Sequence, residues 1–288
     1  VYSLGALGHL FALDEKTGGT VFAVDLVKQH DARLPTWGSS ASPLIHGDLL
    51  VVVAGARPGG TVMALDRRTG KERWRALDER PGYSSPVSAR IGGREEIVVW
   101  TADAASGLDP ASGCVLWRAP FRTSEYDVAI ISPFVEGGQL FVSGYWDGAE
   151  SYKLGGSAAP ALAWKHPKTS CLMADPLFRD GRLYALDKDS GLLCLDWASG
   201  KVLWNDAHAM TPKGRNPHAS LVWAGEGRAA VLNSEGHLIL ARLSPEGYAE
   251  EGRVPIIGFT WAHPAFAGQE VLARSDTEMV CVGVKPGG

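Results

Sequence analysis

Six positions of this 288-residue chain set a polar or titratable side chain before proline or leucine at intervals of 43 to 47 residues: Ser42-Pro43, Ser85-Pro86, Ser132-Pro133, Asp175-Pro176, Ser220-Leu221 and His263-Pro264. Hydroxyls, one carboxylate and one imidazole brought into a ring could hydrogen-bond a polar ligand. Trp37 and Trp261, just upstream of the first and last markers, could form flat walls at its mouth. A cationic group, Lys28, His30 and Arg33, lies in the segment 26–37, and His208, Lys213 and Arg215 lie in 205–217. Binding is the chemistry these types suggest, because Asp175 is the one carboxylate of the marker series and His263 beside a proline reads as hydrogen-bonded structure rather than a catalyst. The four cysteines, Cys114, Cys171, Cys194 and Cys281, show no metal-binding spacing. Cys171 and Cys194 would stand two strand spacings apart, about 9.5 Å, beyond the reach of a disulfide. Buried thiols are expected at all four.

What must position these groups is a hairpin whose fullest copy is Ala64-Leu65-Asp66-Arg67-Arg68-Thr69-Gly70-Lys71-Glu72-Arg73-Trp74. Val62, Ala64 and Asp66 alternate as a strand end, the Asp carboxylate can accept N–H bonds within its own turn, and Gly70 can take positive φ. Close copies carry Asp109, Gly113 and Trp117, then Asp196, Gly200 and Trp204. Looser ones lie at Asp14 to Gly18, at Tyr152 to Leu154 with Trp164 downstream, at Ala241 to Leu243 and at Met279 to Cys281. Asp66, Asp109 and Asp196 are read as turn formers, and Trp74, Trp117, Trp164 and Trp204 as rings packed between neighbouring sheets. A second hairpin follows each marker, as in Leu44 to Val53 and Leu177 to Tyr184, so a period near 44 holds four short strands. The fold class predicted is all-β, a β-propeller of four-stranded antiparallel blades in one domain over 1–288. Its repeat units are 1–26, 37–77, 83–121, 128–166, 172–206, 218–250 and 259–284. The first lacks its opening strand and the last its closing one, which predicts strained closure or an open gap.

Long irregular loops, 27–35, 54–60, 78–82, 122–127, 144–150 and 205–217, fall on one face, opposite the short Asp-to-Gly turns. Loops on a rigid scaffold are where binding concentrates. The net charge of −4, with no basic stripe, excludes nucleic acid as a partner. No apolar run reaches the length of a transmembrane segment.

The pattern Ala-x-Asp-x-x-x-Gly-Lys-x-x-Trp, complete at Ala64, Asp66, Gly70, Lys71 and Trp74, resembles the tryptophan-docking motif of quinoprotein-like propellers, the PQQ-like repeat family. The resemblance covers essentially the whole chain. Thr36-Trp37-Gly38, Gly82-Tyr83-Ser84-Ser85-Pro86, Gly236-His237-Leu238 and Thr260-Trp261-Ala262-His263-Pro264 resemble bacterial PQQ-binding-like propeller repeats in particular. The resemblance implies an exported or periplasmic protein, often eight-bladed, so that about one blade and one strand would be missing at the N-terminus. It leaves two function classes. One is a scaffold similar to the BamB-type propellers of outer-membrane protein assembly, which bind protein partners through surface loops. The other is a PQQ-dependent dehydrogenase oxidising alcohols or sugars with Ca²⁺. Those alcohol dehydrogenases typically carry an adjacent cysteine pair, which this sequence lacks, and they are much longer. The expectation is therefore a non-enzymatic scaffold with no cofactor and no metal, contacting its partner through Trp37, Trp261, His263, Asp175, Lys28, His30 and Arg33.

Overall fold

The computed structural model describes residues 1–155 and 159–284. Among the described residues twenty-six strands form seven antiparallel sheets in chain order, each strand hydrogen-bonded to the next within its sheet. The fold is all-β, a β-propeller whose blades occupy 2–25, 44–76, 87–120, 134–166, 177–205, 219–255 and 265–283, here numbered blades 1 to 7. Blades 2 to 6 have four strands; blades 1 and 7 have three. The chain divides into two compact units, Val1–Lys168 with blades 1 to 4 and Thr169–Gly288 with blades 5 to 7. No helix among the described residues is long and apolar enough to cross a membrane.

Each hairpin closes through local chemistry. The Asp66 Oδ1 accepts the N–H groups of Arg68 and Thr69 and the Thr69 hydroxyl, all at 3.0 Å. Gly70, at φ +72°, returns its N–H to the Asp66 carbonyl at 2.8 Å. Asp14, Asp109 and Asp196 hold Thr17, Ser112 and Ser199 in the same way. In all four the side-chain hydroxyl bond is the leading cause that holds the carboxyl below its ordinary value of 3.8.

Strand pairing adds a feature that no single hairpin shows. Directly opposed residues lie on one face of a sheet, and one such row recurs from blade to blade. It reads Tyr2, Ala12, Phe22 in blade 1; Leu44, Val51, Ala64, Trp74 in blade 2; and Val87, Val98, Gly107, Trp117 in blade 3. Blade 4 gives Phe134, Phe141, Ser151, Trp164 and blade 5 gives Leu177, Tyr184, Cys194, Trp204. A one-residue bulge follows the row in every case, so the aromatic ring always ends it on the same face.

The rings of blades 1, 2 and 5 face the next blade. The Trp74 indole N–H donates to the Pro110 carbonyl of blade 3 at 2.9 Å, and a Cβ on Gly113 would come within 2.6 Å of its ring. Trp204 donates to the Ser244 carbonyl of blade 6 at 2.9 Å. Trp117 differs at its polar end, donating to the buried Glu96 carboxylate of its own blade at 2.6 Å. Gly107 makes room for that bond, since a Cβ there would lie 2.2 Å from Nε1. Alternation explains the apolar run Leu49 to Val53. Leu50 and Val52 pack with Leu10, Val24 and Leu26 of the first blade side, while Val51 joins Trp74, Ile97 and Val99 toward the third.

Two expectations need correction. The segment 27–35 is not wholly irregular: Leu26–His30 forms one helical turn, because the Asp25 side chain caps it by accepting the Lys28 N–H at 3.0 Å and Asp31 ends it at φ +47°. Nor are all four thiols buried. Cys171 and Cys194 are, and burial pushes the Cys194 thiol up to about 11, but Cys114 and Cys281 are exposed. Cys114 follows the turn glycine Gly113, and Cys281 lies on the last strand of three-stranded blade 7.

Candidate functional site

In the unit Val1–Lys168, aromatic side chains from successive loops converge. Trp37, between blades 1 and 2, lies 5.9 Å from the Tyr83 ring and 5.5 Å from Tyr126; Tyr126 in turn lies 6.0 Å from Trp146, which meets Tyr145 edge-on at 4.5 Å. Trp37, Tyr126 and Trp146 are 62%, 51% and 45% exposed, whereas Tyr83 is buried beneath them. The Tyr83 hydroxyl accepts the Trp37 N–H at 3.1 Å and donates to the Tyr126 carbonyl at 3.4 Å, joining two loops. Burial raises its pKa, which keeps the donor proton in place. Tyr126 and Asp127 are consecutive left-handed residues, φ +53° and +57°. Non-glycine residues so held cost of order 1–3 kcal/mol each and persist only where surroundings enforce them.

Those surroundings are ionic. Arg80 donates to Asp127 at 2.9 Å, to Asp103 through both Nε and Nη2 at 3.0 and 2.9 Å, and to the Ala102 carbonyl at 3.0 Å. Burial pushes the Asp103 carboxyl upward, but the hydrogen bonds from Arg80 outweigh it and leave the group below 3.8. Beside this network lies a polar cleft of about 330 Å³, lined by Arg33, Arg57, Arg80 and Arg122 against Asp78, Glu79 and Asp103. An exposed aromatic platform next to a cleft of arginines has the composition of a protein-binding surface, where Trp, Tyr and Arg carry most of the binding energy.

Of the sequence-based candidates, Trp37 and Arg33 meet here: Trp37 packs on Tyr126, and the Arg33 guanidinium lies 3.9 Å from the adjacent Asp127. Lys28 and His30 sit on the helical turn and face Asp25 and Glu72 at 3.2 and 3.8 Å. Trp261, His263 and Asp175 belong to the other unit. There Trp261 meets Phe259 at 5.6 Å, both exposed, and the His263 Nδ1 is 2.7 Å from the Ser220 hydroxyl, while Asp175 is exposed. Neighbouring markers do touch, as Ser42 N–H also bonds Ser85 Oγ at 2.9 Å. Tyr83, Tyr126, Trp146, Arg80, Asp103 and Asp127 were not anticipated as site residues. Aromatic residues in or beside the long loops, at 83, 126 and 145–146, were the signal available.

His218 stands against His263, ring centroids 5.1 Å apart and perpendicular. It is 2% exposed, neither ring nitrogen has a hydrogen-bond partner among the described residues, and burial, then the His263 charge, pushes its pKa down to about 4. Between pH 6.5 and 4 the unfolded chain therefore binds the extra proton, so stability falls as pH drops through that window. The turn carboxylates act in a lower window: their contribution is present above 3.8 and is lost as pH falls through their depressed folded values. Chemical denaturation at stepped pH should show both declines. His218→Phe should flatten the upper one and leave the lower; an unchanged upper slope would refute the assignment.

No three His, Cys, Asp or Glu side chains are gathered to hold a metal ion among the described residues, and the sequence has no adjacent cysteines.

Blades with Asp-to-Gly turns in four of them and an aromatic closing the row in five define a quinoprotein-like β-propeller. The family described as outer membrane protein assembly factor BamB matches residues 1–156 and 133–288, and the chain belongs to that family. Among solved structures it is similar to BamB from Moraxella catarrhalis, at 20% identity over 97% of this chain and 77% of that one, with a TM-score of 0.67. It is also similar to the quinohemoprotein alcohol dehydrogenase of Comamonas testosteroni, at 16% identity over 79% of this chain but 44% of the enzyme, TM-score 0.53. The propeller domain of Cps50 (Swd1) from Myceliophteria thermophila gives 14% identity, 85% and 84% coverage and a TM-score of 0.58. These likenesses are of fold. No curated protein matches the chain in sequence.

Proposed function

We propose that the protein is a non-enzymatic scaffold of the bacterial envelope that binds a protein partner through the loop face of its first unit. The observation that supports this reading is the exposed platform of Trp37, Tyr126 and Trp146, held over the Arg80 network. The partner sets an apolar segment on the rings and acidic side chains against Arg33, Arg57 and Arg122. Family membership supports a role in outer-membrane protein assembly and an exported location.

Photocrosslinking side chains placed at 37, 126 and 146 test the reading in the cell that makes the protein. The three positions should yield the same crosslinked partner, and a probe at Glu15, on an Asp-to-Gly turn, should yield none of it. Equal capture at Glu15, or no capture at the platform, would remove the surface from consideration. Dye-linked alcohol oxidation in the presence of PQQ and Ca²⁺ is expected to be absent, and turnover would make the dehydrogenase reading the better one.

A further inference from the structure

The aromatic row breaks at blade 6. There the opposed residues are Val222, Ala230, Leu240 and Gly252, followed by the same one-residue bulge. Gly252 thus occupies the position that is Phe22, Trp74, Trp117, Trp164 or Trp204 in blades 1 to 5. Its φ lies outside the left-handed region and a Cβ built on it would meet no atom within 4 Å, so neither backbone nor crowding demands glycine. Above the row is a cavity of about 480 Å³, lined by all four of its residues, by Trp223 and Val254, and across the gap by Phe266 and Val271 of blade 7. The far wall has the usual construction: Val284 N–H bonds the Gln269 carbonyl at 2.7 Å, as Arg67 N–H bonds Asp48 at 3.0 Å in the blade that receives Phe22.

Strand and bulge are in place in blade 6, and the ring is missing. From this geometry we infer that the slot between blades 6 and 7 is a binding site for a free, uncharged, planar aromatic molecule of indole size. The fold itself defines the occupant, because the equivalent space beside blades 1, 2 and 5 is closed by an indole or phenyl group. The lining is largely apolar, and the volume lies within the range of small-molecule sites. Among the described residues the cation of the lining, Arg253, is bonded to Glu250 and to the Ala209 carbonyl, each at 2.8 Å. A neutral ligand is the one it suits. A partner's side chain is the poorer fit, because the strand that would carry the ring, Gly247–Pro255, already belongs to the blade.

Indole is the probe. Added to the full chain, it should bind saturably, raise the melting temperature and shift the methyl resonances of Leu240, Val254 and Val271 while leaving those of blade 2 unmoved. Gly252→Trp should raise the melting temperature without ligand and weaken indole binding at least tenfold. Leu240→Gln, at a position already 37% exposed, provides a second variant, with binding lost while the fold is retained. Absence of saturable binding, methyl shifts elsewhere, or undiminished affinity in both variants would overturn the assignment. A short tryptophan-containing peptide that displaces indole at lower concentration would overturn it in favour of a docked side chain.

Discussion

Replacing Trp74 with alanine should lower the unfolding free energy by about 3–5 kcal/mol, the range for large aromatic truncations in cores. The ring is 8% exposed, joins Val51 and Ala64 of its own blade to Ile97 and Val99 of the next, and lies flat over Gly113. Its N–H also leaves the Pro110 carbonyl without that donor when removed. For a chain of this size the loss corresponds to a fall in melting temperature of roughly 6 °C or more. Trp74→Phe should cost less, since it keeps most of the buried area and loses the hydrogen bond. Thermal melts and denaturant titrations of the two variants decide the matter. A shift under about 2 °C in Trp74→Ala would mean that the ring does not tie the blades together.

Arg80→Ala is the second large effect, on the order of 3 kcal/mol, because it leaves a buried carboxylate without its cation. Asp127 is 6% exposed and keeps only the more distant Arg33 at 3.9 Å; Asp103 keeps Arg122 at 3.6 Å. Asp127→Asn added to Arg80→Ala should recover part of the stability, since the uncompensated charge is then gone. The pH dependence gives an independent readout. The Asp103 contribution is present above 3.8 and lost as pH falls through its depressed folded value, so Arg80→Ala should show a shallower acid decline than the parent. The same variant releases the left-handed pair Tyr126 and Asp127 that carries the platform, and crosslinking at 126 should fall with it. Full stability and full crosslinking in Arg80→Ala would show that the network neither supports the fold nor positions the rings.

The hairpins were legible because their causes are local. An Asp whose carboxylate caps its own turn, a Gly at φ near +72° and a strand of period two lie within about a dozen residues, so Asp66, Asp109 and Asp196 announce the turns without any knowledge of the rest. The candidate surface was legible only in part. Trp37 and Arg33 stood out in a long loop, whereas Tyr126 and Asp127 carry no signal of their positive φ, and Arg80 none of its two carboxylate partners. Lys28 and His30 were read by charge alone. A helical turn capped by Asp25 directs them to Asp25 and Glu72.

By itself the sequence determined the repeat, the seven repeat units and the four-stranded antiparallel plan, since turn chemistry and alternation act between residues close along the chain. Tertiary structure decided which loops meet. Trp37, Tyr126 and Trp146 are brought together by the placing of successive sheets, and that depends on side chains packed between blades. It also decided that Gly252 ends a row elsewhere closed by an aromatic ring. That equivalence rests on strand register and on a bulge after Leu240, which pairing across three strands fixes and a single segment does not carry.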